Sequence, residues 1–356
     1  MEIAPCAWRD RAELSSRTFS GAYVTVTVPP HCPSLFSLTL WNQKKKSIFE
    51  PKFRNIHKQM LLHPVKEKYS ILVEDDKVKV GASSMQGYRC NMEDAHSISL
   101  SLPRLPNPSS GAMVAVFDGH NGCKVAQVCA THIVDWITGT EAFQRGDYTG
   151  SMREGYLAGD QWLFKNTDRS CAGGSTAITV MLINRMLYCA NTGDSRAVLC
   201  RAGSAVPLSH DHKPLNSEEQ KRIEAAGSFV SKQGRVNGML SLSRAFGDFG
   251  FKSSSLAPDE QAVTVVPDVT SLPLTPDDEF VVLGCDGIWD VMTNQGAVTF
   301  LRERIAEHGD ASLACEELLE SNLKDPRGTD NMTAVVMELK REYLHEGITL
   351  GETAET

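Results

Sequence analysis

Two apolar runs that lie far apart in the chain end in the same way. Residues 112–117 run into Asp118 and a glycine, and residues 279–285 run into Asp286 and a glycine. Short apolar runs of this kind predict buried strands. A carboxylate at the end of a buried strand is costly unless a raised pKa or a bound cation compensates it. The pattern therefore predicts that the two carboxylates meet at one sheet edge and hold a cation.

The other apolar positions alternate between strand-like and helix-like spacing. Further strands are predicted at residues 78–84, 177–182, 186–191, 197–200 and 332–339, and turns at 192–195 and 271–276. Helices are predicted at residues 121–137, 152–165, 217–226, 293–307 and 310–323. Their N-caps are assigned to Asn121, Ser217, Thr293 and Asp310, with Gln220 completing a capping box at the third helix. The strands at 186–191 and 197–200 are predicted to form a hairpin.

The order of these elements indicates the fold class. Strands often follow one another directly and the helices come in pairs, so the βαβα alternation of a parallel doubly wound sheet is missing. We expect an α+β fold, a four-layer αββα sandwich of two antiparallel β-sheets flanked by pairs of helices. Residues 1–75 are predicted to be a poorly ordered N-terminal extension with one strand-like stretch at 22–28. Residues 76–342 would form the folded domain and 343–356 an acidic C-terminal tail.

The composition is ordinary, and only the distribution of charge adds to these predictions. The 356 residues are 41% hydrophobic and 22% charged, as in an ordinary soluble protein. The net charge is −8, of which residues 1–60 carry +5 and the remainder −13. Because the folded part is acidic, it suits the binding of cations, and we expect no nucleic-acid partner.

The cysteine and targeting patterns indicate an intracellular protein. The ten cysteines form no C-x-x-C pair, which favours reduced buried thiols over a zinc or disulfide framework. Residues 18–43 lack charged side chains but contain three prolines, and no signal peptide opens the chain, so no stable membrane insertion is expected. We expect a monomer in the cytoplasm. An additional nuclear location would fit the basic run at 44–46, although a solvated patch is the commoner origin of such a run.

Three aspartates are candidate ligands of the cation. Asp118, Asp286 and Asp330 each stand at a strand end or a tight turn, and Gly119 would add its carbonyl oxygen. Oxygen ligands without Cys or His at metal spacing favour Mg2+ or Mn2+ over zinc. Two such ions about 3.5–4 Å apart would activate a water for attack on phosphorus. No protein nucleophile is then needed, and the sequence has neither a G-x-S-x-G elbow nor a Cys-x5-Arg loop.

Four neighbouring side chains fit the hydrolysis of a phosphate monoester. Arg89 would hold two phosphate oxygens, and His120 would donate a proton to the leaving alkoxide. Glu93 and Asp94 would accept hydrogen bonds from metal-bound waters. Taken singly, each assignment has an ordinary alternative, such as an ion pair for the arginine or packing for the histidine. Together they favour a catalytic site, because the ordinary explanations would all have to hold independently.

Nine motifs in order resemble those of the metal-dependent PPM family of phosphatases, the protein phosphatase 2C type. They are SSMQGYRCNMEDAH, VFDGHNG, GGSTA, ANTGDSRAVL, SHDHKP, GRVNGMLSLSRAFGD, VVPDV, LGCDGIWDV and GTDNMT, within residues 78–340. The resemblance implies a β-sandwich flanked by paired helices, with a binuclear metal site at its edge. It also implies a hydrolase that uses Mn2+ or Mg2+ to remove phosphate from phosphoserine and phosphothreonine in proteins.

The resemblance implies a set of metal ligands. Asp118 looks like the ligand that bridges both ions, and Gly119 like the carbonyl ligand of one of them. Asp286 and Asp330 resemble the ligands of the other ion. Asp194 looks like the position associated with a weaker third metal, and Asp290 would lie close to that ion.

The same resemblance implies the roles of the remaining motif residues. Arg89 resembles the phosphate clamp and His120 the general acid, while Glu93 and Asp94 resemble an acidic pair that acts through water. Asp248, in the turn FGDF, is interpreted as structural. A flap near residues 210–235 would shape the choice of substrate. Small departures, such as Asn121 for the second glycine of DGHGG, remove neither a ligand nor the arginine.

Two other functions remain open from the sequence. One is a catalytically weak pseudophosphatase that keeps the fold as a regulatory interaction module, although such proteins typically lose a metal ligand and this chain keeps them all. The other is a nucleic-acid or membrane-surface protein that works through its basic N-terminus, which the acidic remainder disfavours. The leading hypothesis is an active phosphatase with phosphoprotein substrates.

Overall fold

The computed structural model describes residues 60–167 and 173–345. The strand-like stretch at 22–28, the basic run at 44–46 and residues 346–356 of the predicted tail lie outside these ranges. The described residues form two large β-sheets, one small sheet and eight α-helices. Within these ranges, no helix combines the length and the apolar character that crossing a membrane would require.

The elements follow one another along the described chain in the order given by their numbers. The strands are β1 Met60–Glu74, β2 Val78–Arg89, β3 Ala95–Ser99, β4 Gly111–Phe117, β5 Gly119–His120, β6 Gly174–Ser175, β7 Ala177–Ile183, β8 Met186–Thr192, β9 Arg196–Arg201, β10 Ser204–Pro207, β11 Phe246–Gly247, β12 Asp268–Pro273, β13 Asp278–Gly284 and β14 Met332–Leu339. The helices are α1 Lys124–Thr138, α2 Glu141–Gln144, α3 Tyr148–Asn166, α4 Ser217–Ala225, α5 Asp286–Trp289, α6 Asn294–His308, α7 Ala311–Lys324 and α8 Arg341–His345.

The two large sheets are antiparallel and carry helices on their outer faces. Six strands form one sheet in the order β1-β2-β14-β13-β9-β10, and five form the other in the order β12-β8-β7-β4-β3. Helices α1 and α3 pack on the five-stranded sheet, whereas α6 and α7 pack on the six-stranded sheet. The predicted α+β fold, a four-layer sandwich, is therefore confirmed.

Strand β4 shows why the central strands are apolar along their whole length. Side chains alternate between the two faces of a strand. Val114 and Val116 belong to the core between the sheets, while Met113 and Phe117 belong to the core beneath α1 and α3. All four are at most 1% exposed. Because both faces are buried, the strand has no polar face, and its first acidic residue, Asp118, comes only at its end.

The hairpin predicted at residues 186–191 and 197–200 is wrong. Both strands exist, but β8 pairs with β7 and β12, whereas β9 pairs with β10 and β13 in the other sheet. Nearness in sequence favoured the hairpin. The two strands bury their apolar side chains in different sheets, however, so long-range pairing overrides the local preference. The turn between them consequently crosses from one sheet to the other and carries Asp194 with it.

Two of the four predicted N-caps are confirmed, whereas the N-cap of α1 is Cys123 and not Asn121. The hydroxyl of Thr293 and the carboxylate of Asp310 accept hydrogen bonds from backbone N–H groups in the first turns of α6 and α7. Asn121 does not cap α1, which begins at Lys124. It has φ of +56°, a left-handed conformation that Asn tolerates better than most residues. The turn after β5 thus places at this position a residue that tolerates the left-handed conformation.

The N-cap predicted at Ser217, for helix α4, is also wrong. Asn216 occupies the N-cap position of α4, and Ser217 is already helical. Gln220 does not complete a capping box, because its side-chain amide donates to Glu224 one turn further on, at 2.8 Å. An (i, i+4) side-chain contact on the helix surface therefore replaces the predicted contact at its N-terminus.

Two segments expected to be irregular are strands. Residues 60–74, which were assigned to the N-terminal extension, form β1 and pair with β2. Residues 271–273, which were assigned to a turn, belong to β12 and pair with β8. Ile71, Val73 and Leu272 are partly buried against the core between the sheets. Edge strands of this kind expose one face and one side, which weakens their apolar pattern in the sequence.

Candidate metal centre

Three aspartates from different elements converge at the strand ends of the sandwich. Asp118 follows β4, Asp194 lies in the turn between β8 and β9, and Asp286 follows β13 by two residues as the first residue of α5. Each offers one carboxylate oxygen, and the three oxygens lie within 4.8 Å of one another. The structure thus brings together two predicted ligands and one residue that was predicted to be peripheral.

The electrostatics of this cluster fit a bound divalent cation. Burial raises the pKa of Asp118 well above its usual range, and the charges of Asp286 and Asp94 raise it further. Burial also raises the pKa of Asp286 well above its usual range, with Asp194 and Asp330 adding to the effect. A divalent cation would replace the lost hydration and cancel the repulsion between the carboxylates. A donor set of carboxylate oxygens suits Mg2+ or Mn2+.

Thr176 fixes the turn that carries Asp118. Its backbone N–H donates to the carbonyl of Asp118 at 2.9 Å, and its Oγ1 accepts from the backbone N–H of Asp118 at 3.2 Å. The same Oγ1 lies 2.7 Å from Oγ of Ser195, which follows Asp194. These hydrogen bonds join the two acidic turns. No role was predicted for Thr176, and its place in the motif GGSTA was the only signal for it in the sequence.

Asp330 lies at the border of the cluster, in contact with Arg89. It precedes β14 and is not among the three converging residues. Nη2 of Arg89, at the end of β2, donates to Oδ2 of Asp330, and Oδ1 accepts from the backbone N–H of Asn331 at 2.7 Å. The charge of Asp330 still contributes to the raised pKa of Asp118 and Asp286. Arg89, the predicted phosphate clamp, therefore contacts Asp330, a predicted metal ligand.

Glu93 and Asp94 lie in the loop between β2 and β3. Oε1 of Glu93 accepts from the backbone N–H of Gly122 at 2.7 Å, and the N–H of Glu93 donates to Oδ1 of Asn331 at 2.9 Å. Oδ2 of Asp94 accepts from Oγ1 of Thr333 at 2.8 Å. Burial raises the pKa of Asp94 to about 7, against the effect of that hydrogen bond. Both carboxylates are thus held by hydrogen bonds beside the cluster.

The remaining residues that were predicted to take part in the metal site lie in the acidic cluster or beside it. Gly119 begins β5, where a Cβ atom would lie 2.2 Å from the carbonyl oxygen of Glu93, so only glycine fits. Asp194 accepts a hydrogen bond from Nζ of Lys213, a residue that the sequence analysis gave no role. Asp290 is the C-cap residue that follows α5, and partial burial of its carboxyl raises its pKa against the opposing charge of Lys213. Lys213 is therefore a cationic neighbour of both aspartates.

His120, the predicted proton donor, is held by Asp248. Nε2 of His120 lies 2.6 Å from Oδ2 of Asp248, although the two residues are 128 positions apart in sequence. The Asp248 side chain is only 1% exposed. Asp248 was predicted to be structural, whereas the structure places it in direct contact with the histidine. Local sequence carries no signal for a contact over such a separation.

Comparison with known proteins gives consistent matches. A family model described as "Protein phosphatase 2C" matches residues 78–332. The chain is 45% identical over 288 residues to a probable protein phosphatase 2C of Caenorhabditis elegans, covering 79% of this chain and 80% of that protein. It is 43% identical over 293 residues to protein phosphatase 2C homolog 3 of Schizosaccharomyces pombe, covering 80% and 70% respectively. Among solved structures, a phosphatase from Toxoplasma gondii matches with a TM-score of 0.68 at 26% identity, covering 77% of this chain and 96% of that one.

Proposed function

Since this chain belongs to the protein phosphatase 2C family of metal-dependent serine/threonine protein phosphatases, we propose that it hydrolyses phosphoserine and phosphothreonine with two Mn2+ or Mg2+ ions. The observation that carries the proposal is the convergence of the carboxylates of Asp118, Asp194 and Asp286 within 4.8 Å. When bound, the ions would activate a water molecule for attack on phosphorus and neutralise developing charge.

The proposed ligands of the two ions are those of the sequence analysis. Asp118 would contact both ions, Gly119 would add its carbonyl oxygen, and Asp286 and Asp330 would complete the set. The raised pKa of Asp118 and Asp286 supports this assignment, because such carboxylates gain most from a cation.

A weaker third ion is proposed beside Asp194. Asp194 belongs to the same acidic cluster, and Asp290 is near enough to contribute to the raised pKa of Asp286. Lys213 already contacts Asp194, so an ion at this position would compete with an ammonium group. That competition supports weaker binding than at the other two positions.

Arg89 is proposed to bind and orient the phosphate. A guanidinium has five N–H donors in a planar fork, so its contact with Asp330 is compatible with bidentate binding of two phosphate oxygens. Because that contact already limits the side-chain rotamers, less conformational entropy is lost when the substrate binds.

His120 is proposed to donate a proton to the leaving oxygen of serine or threonine. It adjoins Gly119 and lies two residues from Asp118, so its ring is anchored to the same turn as the cluster. Protonation of a departing alkoxide by a positioned side chain typically accelerates the reaction about 10²–10⁴-fold. Glu93 and Asp94 would keep the surrounding water ordered by accepting hydrogen bonds.

The decisive experiment measures release of inorganic phosphate from a phosphothreonine peptide by the purified full chain. Activity is expected with Mn2+ and should vanish with excess chelator. The Asp286→Asn variant should lose on the order of 100-fold or more, because it removes charge that would hold the cation. The matched control is Asp277→Asn, an exposed carboxylate just before β13, which should keep the activity.

Two outcomes would contradict the proposal. Wild-type turnover by Asp286→Asn would show that the ligand assignment is wrong. A folded protein that binds Mn2+ yet releases no phosphate would instead support the pseudophosphatase alternative.

A further inference from the structure

A small third sheet brings His120 and Asp248 together. Its strands are β5, β6 and β11, in the order β11-β6-β5. Gly174 of β6 pairs with His120 on one side and with Gly247 on the other. Asp248 follows Gly247 directly, and its carboxylate reaches across the sheet to the imidazole. The contact is therefore a product of strand pairing between three distant segments.

The backbone of Asp248 is held in an unusual conformation. Its φ of +48° lies in the left-handed region, which costs a non-glycine residue energy. Its N–H donates to the carbonyl of Gly173 at 3.1 Å, and the N–H of Gly247 donates to Oδ1 of Asp160 at 2.8 Å. The first of these bonds holds the backbone of Asp248 itself, and the second holds the preceding residue of β11.

The surroundings leave the pair little freedom. A Cβ atom on Gly174 would lie 2.2 Å from Oδ2 of Asp248 and 2.7 Å from Nε2 of His120, so β6 closes directly over their hydrogen bond. A carboxylate that is 1% exposed needs a partner, and Nε2 of His120 at 2.6 Å is that partner.

We infer that Asp248 is a positioning residue that orients His120 for proton transfer and fixes its tautomer. The inference rests on the proposed function, in which His120 protonates the leaving group. A carboxylate that accepts from one imidazole nitrogen keeps the proton there and sets the plane of the ring. With Nε2–H directed to Asp248, His120 transfers its other proton through Nδ1.

Hydrolysis of the phosphate ester involves these two residues and one water molecule. The bond between phosphorus and the serine or threonine oxygen breaks, and Nδ1 of His120 gives its proton to that oxygen, which leaves as a hydroxyl. The attacking water contributes its oxygen and one hydrogen to inorganic phosphate, and its second proton passes to solvent. His120 keeps the Nε2 proton against Asp248 throughout and regains the Nδ1 proton from solvent.

Substrates with different leaving groups distinguish positioning of the acid from a merely structural role. A phosphothreonine peptide releases an alkoxide, which needs a proton, whereas p-nitrophenyl phosphate releases a stable phenolate, which does not. Asp248→Asn should therefore lower kcat for the peptide about 10- to 100-fold and kcat for p-nitrophenyl phosphate by less than about threefold. His120→Gln should show the same selectivity, and the double variant should lose no more than His120→Gln alone.

Asp160→Asn is the matched control. Asp160 holds β11 through the N–H of Gly247 and pairs with Lys252, and neither bond involves His120. Damage to the small sheet alone should lower the activity towards both substrates by the same factor. A second measurement needs no variant: long-range proton–nitrogen NMR of histidine-labelled protein should show His120 with its proton on Nε2.

The outcomes separate this inference from the proposed function. No wild-type activity towards either substrate would overturn both. An active wild type whose Asp248→Asn variant loses the same factor on both substrates, or loses nothing, would overturn the inference alone. A neutral ring that carries its proton on Nδ1 would do the same, even if Asp248→Asn failed to fold.

Discussion

At the scale of single residues, two buried carboxylates of this protein each have a specific partner. Asp248 faces His120, and the fully buried carboxylate of Asp278 accepts from the guanidinium of Arg201 at 2.6 Å. His96 differs, because its Nε2 is buried without a hydrogen-bond partner in the described part of the chain. A buried group with a partner is stable when charged, whereas one without a partner is stable only when neutral.

The contact between Arg89 and Asp330 leads to a prediction about substrate binding. Arg89→Ala should raise KM for a phosphothreonine peptide about 10- to 100-fold with a smaller effect on kcat, because it removes charge-assisted hydrogen bonds to the phosphate. Steady-state kinetics would check this. Arg153→Ala, an exposed arginine on α3, is the control and should leave KM at the wild-type value. An unchanged KM in Arg89→Ala would argue against the clamp.

His96 leads to a prediction about stability and pH. Burial lowers its pKa from 6.5 to about 4, so the unfolded chain takes up a proton at a higher pH than the folded chain does. The free energy of unfolding should therefore fall as the pH drops from about 6.5 towards 4, by up to about 3 kcal/mol from this group. In His96→Phe this part of the pH dependence should disappear.

Urea denaturation of both proteins at several pH values between about 4 and 7 measures the difference. His63→Gln, at an exposed position on β1, is the control and should follow the wild type. Parallel curves for the wild type and His96→Phe would contradict the prediction.

At the scale of elements, helix α4 is attached to the domain by an ionic network. Glu219 is buried, and its carboxylate accepts from Arg222 of the same helix and from Arg244 of a following loop. Burial alone would raise the pKa of Glu219, but the hydrogen bonds from Arg244 and Arg222 lower it to about 2. Arg244 also contacts Asp268 at 2.7 Å, which links the network to β12. The segment that the sequence analysis compared with a flap is thus anchored at its helix.

Removing the charge of Glu219 should loosen this helix. Glu219→Gln would remove the carboxylate partner of Arg222 and leave Arg244 with Asp268 alone. Since both guanidinium groups are largely shielded from water, this should destabilise the segment by about 3 kcal/mol. Faster hydrogen exchange confined to residues 217–245 is the expected result.

The neighbouring position offers a matched control. Glu218 is exposed and pairs with Lys221 at the surface, so Glu218→Gln should cost less than about 1 kcal/mol. Equal exchange rates in the two variants would show that the buried network does not anchor α4.

At the scale of the whole molecule, the acidic cluster joins the two halves of the sandwich. Asp118 follows a strand of the five-stranded sheet, Asp286 follows a strand of the six-stranded sheet, and Asp194 lies in the turn that crosses between them. A cation held by these carboxylates would link the two sheets at their edge. Metal binding should therefore be coupled to the stability of the whole domain.

Mn2+ should raise the thermal unfolding midpoint of the wild type. At a free-ion concentration about 100 times Kd, each ion would add about 2.7 kcal/mol to the free energy of unfolding. Differential scanning calorimetry with Mn2+ and with chelator measures the shift. Asp286→Asn should lose most of the shift, whereas Asp277→Asn should keep it. A wild-type midpoint that is insensitive to Mn2+ would contradict a folded metal site.

Features that depend on neighbouring residues could be predicted from the sequence. The apolar runs predicted β4, β13 and β14, and Thr293 and Asp310 were correctly assigned as N-caps, because burial pattern and capping act over a few positions. The order of motifs indicated the family and the sandwich. The acidic residues Asp118 and Asp286 were also visible, since each follows a strand directly or nearly so.

The contacts between distant segments became visible only in the folded molecule. It placed β8 and β9 in different sheets, brought Asp194 beside Asp118 and Asp286, and joined His120 to Asp248. Strand pairing and the burial of charged groups are set by the packing of the whole chain. The free energy of such contacts depends on partners that are distant in the sequence, as His120 and Asp248 are, and no local pattern encodes them.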